Sequence, residues 1–308
     1  MPKATDQLLV SVIMATYNSA RTLKLAIESV LAQDCSDYEV WIVGDACTDN
    51  SQQVVDAFAD PRLNWINLAK NSGSQGAPNN EGIRRSRGEY IAYLGHDDLW
   101  FPWHLSSLLS CIERTEADLV HPFSAAFDPA GLRYTVGPPS SGRTYENHFV
   151  FPSCWLHRRS LIEACGPWGD PDKLARRVDM DFLRRVYLAG KPIQFYPRLN
   201  LLKFPSAWWG TYAAGFDPPQ ARYLAELKRD ALNLEREVLY QATAVLAHQT
   251  LPRTPVRQAL RQLLHCMFRR SIESLGTQHR LLERLRYFFV QRNIRKGRKR
   301  RGLPPARR

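Results

Sequence analysis

Gly88-Glu89-Tyr90-Ile91-Ala92-Tyr93-Leu94-Gly95-His96-Asp97-Asp98 is the stretch on which the fold turns. Residues 90–94 form a short apolar, β-prone run between two glycines, the pattern of a buried strand. The run ends on two adjacent carboxylates. Upstream, residues 79–87 read as a helix closed by Gly88, 63–68 as a strand, 51–58 as a helix and 38–43 as a strand stopping at Gly44-Asp45. Residues 21–33 place Leu23, Ala26, Ile27, Val30 and Leu31 at helical spacing, with Ser19 as N-cap. Residues 8–14 form a first strand that runs into Ala15-Thr16-Tyr17-Asn18. Strands and helices thus alternate with short links, which implies a mostly parallel sheet flanked by helices. In open sheets of this class, ligands bind outside the carboxyl ends of the strands. Three such ends carry polar groups here: Thr16-Tyr17-Asn18, Asp45 and Asp97-Asp98.

Downstream the pattern loosens. Residues 104–114 read as a helix and 119–127 as a strand. Residues 128–147, rich in Gly, Pro and Ser, read as a hairpin or loop. An extended segment (150–157), a short helix (160–165), a helix (176–189) and strands at 193–196 and 199–204 follow. From about Gln220 the alternation stops. Three helical stripes take over: Leu224 to Val245, Leu260 to Ile272 (opened by Thr254-Pro255) and Leu281 to Phe289. The expected division is a catalytic domain over 1–215 and a helical, basic C-terminal region over 216–308.

Composition agrees with two regions. Hydrophobic residues make up 44% of the 308, enough for a full core. The net charge of +12 is uneven: residues 220–308 hold 21 Lys+Arg against 6 Asp+Glu, while the rest of the chain is slightly acidic. No apolar stretch approaches the ~20 residues of a membrane span. The N-terminal residues lack the apolar core of a signal peptide, so the expected location is cytoplasmic. The six cysteines form no C-x-x-C pair and are expected to be buried or half-buried free thiols.

Each acid has a functional and a plain reading. Asp97 and Asp98 could hold a hard divalent ion, Mg²⁺ or Mn²⁺, against a diphosphate whose charge builds as its bond breaks. Equally, Asp98 could cap the next helix. Asp45 could accept from a base edge or a ribose hydroxyl, or could shape a turn. Asp49 fits a cap of the second helix. Asp179 and Asp181 stand two apart on a helix and do not share a face. At most one points into a cleft, where it could be a general base; otherwise both belong to a solvated helix start.

Taken together, four segments resemble the family 2 glycosyltransferases of the GT-A fold over roughly residues 9–205. Val10 to Asn18 resembles the family's opening strand and base-contacting loop. Val43-Gly44-Asp45-Ala46-Cys47-Thr48-Asp49-Asn50-Ser51 resembles D-D-G-S-T-D-x-S. Gly88 to Trp100 resembles G-x-Y-I-x-F-L-D-x-D-D-x-W, and Val178-Asp179-Met180-Asp181-Phe182 resembles E-D-x-D-L. The resemblance implies an α/β GT-A domain, a mostly parallel sheet with flanking helices, plus the C-terminal helical, basic extension. It implies an inverting enzyme that moves a sugar from a nucleoside diphosphate sugar to a hydroxyl acceptor. The donor would be UDP-linked in the first instance, with GDP and dTDP as alternatives. Ala15, Tyr17, Asn18 and Asp45 would line the base and ribose pocket, and Asp97 would contact the sugar or ribose side. Asp98, with Asp97, would hold Mg²⁺ or Mn²⁺. Asp179 would deprotonate the acceptor. Three acids of the pattern are replaced, by Gly44, Gly95 and Val178. These losses leave open an alternative, a catalytically weakened nucleotide-sugar-binding or scaffolding module of a glycan-assembly complex.

Further candidates are Gln75 and Asn79 beside the nucleotide, His96 toward the sugar or phosphates, and His157 on the acceptor side. Trp208 and Trp209 would belong to a mobile lid; packing is the competing reading for the two histidines and the two tryptophans. The last stripe, with its arginines and the polybasic stretch 292–308, suits an anionic membrane surface and a lipid-linked acceptor. A solvated tail is the alternative. Nucleic acid is a poor partner for a stretch with few stacking aromatics and no recognised nucleic-acid fold.

Overall fold

The computed structural model describes residues 9–209, 211 and 216–250. The stripes beyond Thr250, the polybasic stretch and Cys266 lie outside the described residues. The alternation expected for the first hundred residues is present: β1 (Val10–Thr16), α1 (Ala20–Leu31), β2 (Tyr38–Gly44), α2 (Ser51–Asp56), β3 (Leu63–Asn67), α3 (Gly76–Arg85) and β4 (Tyr90–Tyr93). Next come β5 (Leu99–Trp100), α4 (His104–Thr115), β6 (Leu119–Asp128), β7 (Gly131–Val136) and a 3-10 turn at Pro152–Cys154. The order closes with β8 (Leu156–Arg158), α5 (Ser160–Cys165), α6 (Val178–Leu188), β9 (Ile193–Lys203), α7 (Ser206–Trp209) and α8 (Gln220–Thr250).

The strands form one sheet in the order β3-β2-β1-β4-β8-β6-β9-β5, with β7 hairpinned onto β6. The first four are mutually parallel; Val10 pairs with Tyr38 on one side and Tyr90 on the other. Helices cover both faces there, which is why β1 and β4 are nearly continuous apolar runs and not alternating ones. β8 enters antiparallel between β4 and β6.

Two elements differ from expectation. Leu99 and Trp100, which the cap reading of Asp98 would place at the start of a helix, pair antiparallel with Leu202 and Leu201 of β9. Pro102 explains this, since it disfavours helical backbone just before it, and α4 starts only at His104. The two strands expected at 193–196 and 199–204 are one, β9. Its Pro197-Arg198 step, which should have broken it, is absorbed as a register shift against β6.

Two cores result. The larger lies under β1, β2, β4, α1 and α4. The smaller gathers Leu99, Phe101, Phe127, Leu199, Leu202 and Phe204 around Leu224, Leu227, Leu234 and Val238 of α8. α8 kinks at Asp230, whose backbone leaves helical geometry (φ −158°, ψ 86°). The expected boundary at residue 215 therefore precedes a helix that is packed into the sheet's second core. The five described cysteines are free thiols, as expected, and buried or half-buried. Among the described residues, no helix is long and apolar enough to cross a membrane.

Candidate active site

A cleft of about 720 Å³ opens at the carboxyl ends of β1, β2 and β4. Ala15 and Tyr17 line it from the end of β1, Asp45 from β2, and His96 and Asp97 from the loop after β4; Gln75 lines it ahead of α3. Asp179, at the start of α6, and Trp208 complete the expected residues in the wall.

On the β2 side, Asp45 organises the loop that faces it. Its Oδ1 accepts from the Ser72 N–H (2.8 Å) and its Oδ2 from the Gly73 N–H (3.0 Å). Asn18 does not line the cleft. Its Oδ1 accepts from the Thr48 N–H (2.8 Å), tying the β1 loop to the β2 loop. Ala46 holds a left-handed backbone (φ 61°) at the position where the motif carries glycine. Gly44 has no room for the acid of the motif, because a Cβ there would lie 2.5 Å from Asn67 Oδ1. Asn67 instead grips Cys47, its Oδ1 accepting from the N–H and its Nδ2 donating to the carbonyl.

The paired carboxylates divide their work differently from expectation. Asp97, 5% exposed, lines the cleft; Asp98, 0% exposed, does not. Asp98 Oδ2 accepts from Ser153 Oγ (2.6 Å) and Lys203 Nζ (2.8 Å), and its Oδ1 accepts from the Phe204 N–H (3.2 Å). Asp97 Oδ1 faces the same ammonium at 3.4 Å, and its Oδ2 accepts from the Ser206 N–H and hydroxyl. Burial alone would push Asp97 up, but Lys203, His96 and Ser206 outweigh it and hold the carboxyl at about 2. Burial and the neighbouring Asp97 charge push Asp98 up to about 6, against the pull of Lys203 and Ser153. Burial would lower Lys203, but the two carboxylates overcome it and hold the ammonium above its usual range.

This donor set does not fit the expected Mg²⁺ or Mn²⁺. An ammonium already bridges the two carboxylates, every carboxylate oxygen accepts a hydrogen bond, and the first acid of the motif is Gly95. Among the described residues, no group of three or more His, Cys, Asp or Glu could hold a metal ion.

Across the cleft, Asp179 is 1% exposed and held at the N-terminus of α6. Its Oδ2 accepts from Arg177 Nη2 at 2.5 Å and its Oδ1 from the Met180 N–H at 2.8 Å. The Arg177 guanidinium in turn stacks over Phe149, 4.7 Å from the ring centroid. Asp181 turns away to Arg185 (2.8 Å), so only one of the two acids reaches the cleft.

Other candidates do not come to the cleft. His157 is fully buried, with Nε2 2.9 Å from the Tyr93 hydroxyl and Nδ1 2.7 Å from the Arg158 carbonyl. Its strand β8 lies inside the sheet, so the ring packs in the core. Asn79 is buried within α3. Trp209 donates to the Phe127 carbonyl (3.0 Å) and packs on the second core, while Trp208 alone faces the cleft, edge-on to Tyr134. Gly210 lies outside the described residues. Sequence reasoning missed Lys203, Ser153, Ser206 and Arg177. Lys203 did carry a signal: it is a lone cation in the apolar run Leu201-Leu202-Lys203-Phe204, and a charge that is buried needs a partner.

Comparison with known proteins supplies the family and the fold. The family model described as Glycosyl transferase family 2 matches residues 11–166. The putative colanic acid biosynthesis glycosyl transferase WcaA of Escherichia coli K12 is 33% identical over 202 residues, 60% of this chain and 68% of that protein. The chain spans about half or less of the length of the other leading curated relatives. Among solved structures, Staphylococcus aureus TarS 1–349 in complex with UDP aligns with a TM-score of 0.55 at 21% identity, over 80% of this chain and 73% of that one. The mannosyltransferase PcManGT of Pyrobaculum calidifontis, in complex with GDP-Man and Mn²⁺, aligns with a TM-score of 0.53 at 17% identity, over 93% and 86%. Both share the fold.

Proposed function

The chain belongs to glycosyl transferase family 2, and from that premise we propose that it is an inverting glycosyltransferase using a nucleoside diphosphate sugar, with Asp179 as general base. The observation that carries the reading is one cleft at the strand ends that gathers Asp45, Asp97 and Asp179. Nucleotide complexes of fold relatives, with UDP in one case and GDP-Man in another, support this class of donor. The relative named for colanic acid biosynthesis supports a biosynthetic transfer.

The base and ribose lie against Ala15, Tyr17 and the loop that Asp45 holds. The sugar sits between Asp97 and Asp179. An acceptor hydroxyl gives its proton to Asp179 as its oxygen attacks the anomeric carbon from the face opposite the diphosphate. The anomeric carbon–oxygen bond breaks in line, and the nucleoside diphosphate leaves with the electron pair, inverting the carbon. Arg177 fixes the Asp179 carboxylate in orientation, so little reorganisation precedes the proton transfer.

A thermal-shift screen with UDP-, GDP-, CDP- and dTDP-sugars identifies the donor, since a bound ligand raises the melting point by mass action. With that donor, Asp179→Asn is expected to keep the thermal shift and to lose transfer by about 10²–10⁴-fold. Wild-type turnover in Asp179→Asn sinks the assignment.

A further inference from the structure

Lys203 ends β9 with its side chain 17% exposed in the cleft wall and its ammonium 2.8 Å from Asp98 and 3.4 Å from Asp97. We propose that this ammonium stands where the family's motif would place a divalent cation, so that the cleft binds a nucleoside diphosphate without any metal ion. The inference rests on the glycosyl-transfer reading above.

Three observations carry it. First, the position is taken: the charge that two buried neighbouring carboxylates demand is already supplied, from a strand fixed in the sheet. Second, the motif's missing acid cannot simply be compensated. A Cβ on Gly95 would lie 2.8 Å from Asp98 Oδ2 and 3.0 Å from Asp97 Oδ1, so the carboxylates have closed into the space that an acid at position 95 would need. Third, the two oxygens that Lys203 leaves, Asp98 Oδ1 and Asp97 Oδ2, accept from the Phe204 and Ser206 N–H groups, and Ser153 shares Asp98 Oδ2 with the ammonium. A divalent ion would have to displace these donors and also sit beside a like charge. An ammonium fixed before the donor arrives needs no such rearrangement, and preorganised charge is the effective kind for a leaving diphosphate. Arg176 and Arg177 line the same cleft and add positive charge to its wall.

Calorimetry on the full chain tests this, with UDP, GDP, CDP and dTDP titrated once in EDTA and once in Mn²⁺. The tightest of the four is expected to bind with the same Kd in both, within about twofold. Mn²⁺ alone, followed by its free-ion paramagnetic resonance, is expected not to bind. Lys203→Gln should weaken that nucleotide in EDTA by about tenfold or more, and Lys203→Arg, which keeps the charge, should restore part of the loss. The wild-type measurements stand even if Lys203→Gln fails to fold. Nucleotide binding that appears only with Mn²⁺ overturns the inference and leaves glycosyl transfer standing. So does Mn²⁺ bound by the wild type and lost in Asp97→Asn. Binding of no nucleotide under either condition overturns the functional reading itself, and this inference with it.

Discussion

Ala46, next to Asp45, sits at φ 61°, a backbone in which a Cβ crowds the following carbonyl. An L-residue pays about 1–2 kcal/mol for that conformation, and glycine does not. Ala46 is half-buried, so removing its methyl forfeits little packing. Ala46→Gly is therefore expected to raise the unfolding free energy by about 1 kcal/mol, read as a higher melting temperature; a lower one would contradict the strain. At this scale the sequence showed which residue types mattered better than it showed which way they face. Asp45, Asp97 and Asp179 were legible because each stands at a strand or helix end in motif order. The division between Asp97 and Asp98 was not legible. Neighbouring side chains point to different sides, and which of them is buried depends on Lys203, Ser153 and Ser206, all distant in the chain. His157 misled for the same reason: its polarity suggests a site, but its hydrogen bonds are to Tyr93 and a main-chain carbonyl inside the sheet.

The first two helices are held by one carboxylate. Ser19 occupies the N-cap position of α1 as expected, yet its hydroxyl donates to the Tyr17 carbonyl and leaves the helix uncapped. Asp49 does that work from the other loop. Its Oδ2 accepts from the Ala20 N–H at 3.0 Å, while its Oδ1 accepts from the Ser51 N–H and hydroxyl at the start of α2. A lost cap typically costs about 1 kcal/mol. Asp49→Ala removes two and is expected to cost about 2 kcal/mol, against a few tenths for Ser19→Ala, in urea unfolding of the two variants. Equal costs would show that Asp49 serves only its own helix. Element order through β4 was legible because strand runs and helical periods are long enough to count. β5 was not, since two residues have no period. Nor was the unity of β9, because Pro197 reads as a break until β6 is there to absorb it as a bulge.

At the scale of the whole molecule, three of the described imidazoles that no site uses are fully buried. His104 stacks on Trp100 with ring centroids 4.0 Å apart, His121 meets the Tyr145 hydroxyl at 2.8 Å, and His157 meets Tyr93. Burial holds them neutral, His104 and His121 down at about 3 and His157 at about 4. The unfolded chain takes up these protons near pH 6.5. Because the folded pKa values are depressed, their contribution to stability is complete above pH 6.5 and is lost as pH falls toward 4. Each histidine contributes a slope of roughly 1.4 kcal/mol per pH unit in that window. Asp98 opposes them: its folded pKa is raised to about 6, so it gains stability on acidification between about pH 6 and its unfolded value of 3.8. One group against three leaves a net loss of roughly 3 kcal/mol per unit between pH 6 and 4. Urea midpoints measured at pH 7, 6 and 5 are expected to fall progressively, with most of the loss below pH 6. His104→Phe should flatten that slope by about 1.4 kcal/mol per unit, because it removes a proton acceptor whose buried Nε2 has no hydrogen-bond partner. Midpoints that hold level from pH 7 to 5 would mean that these rings are reached by water.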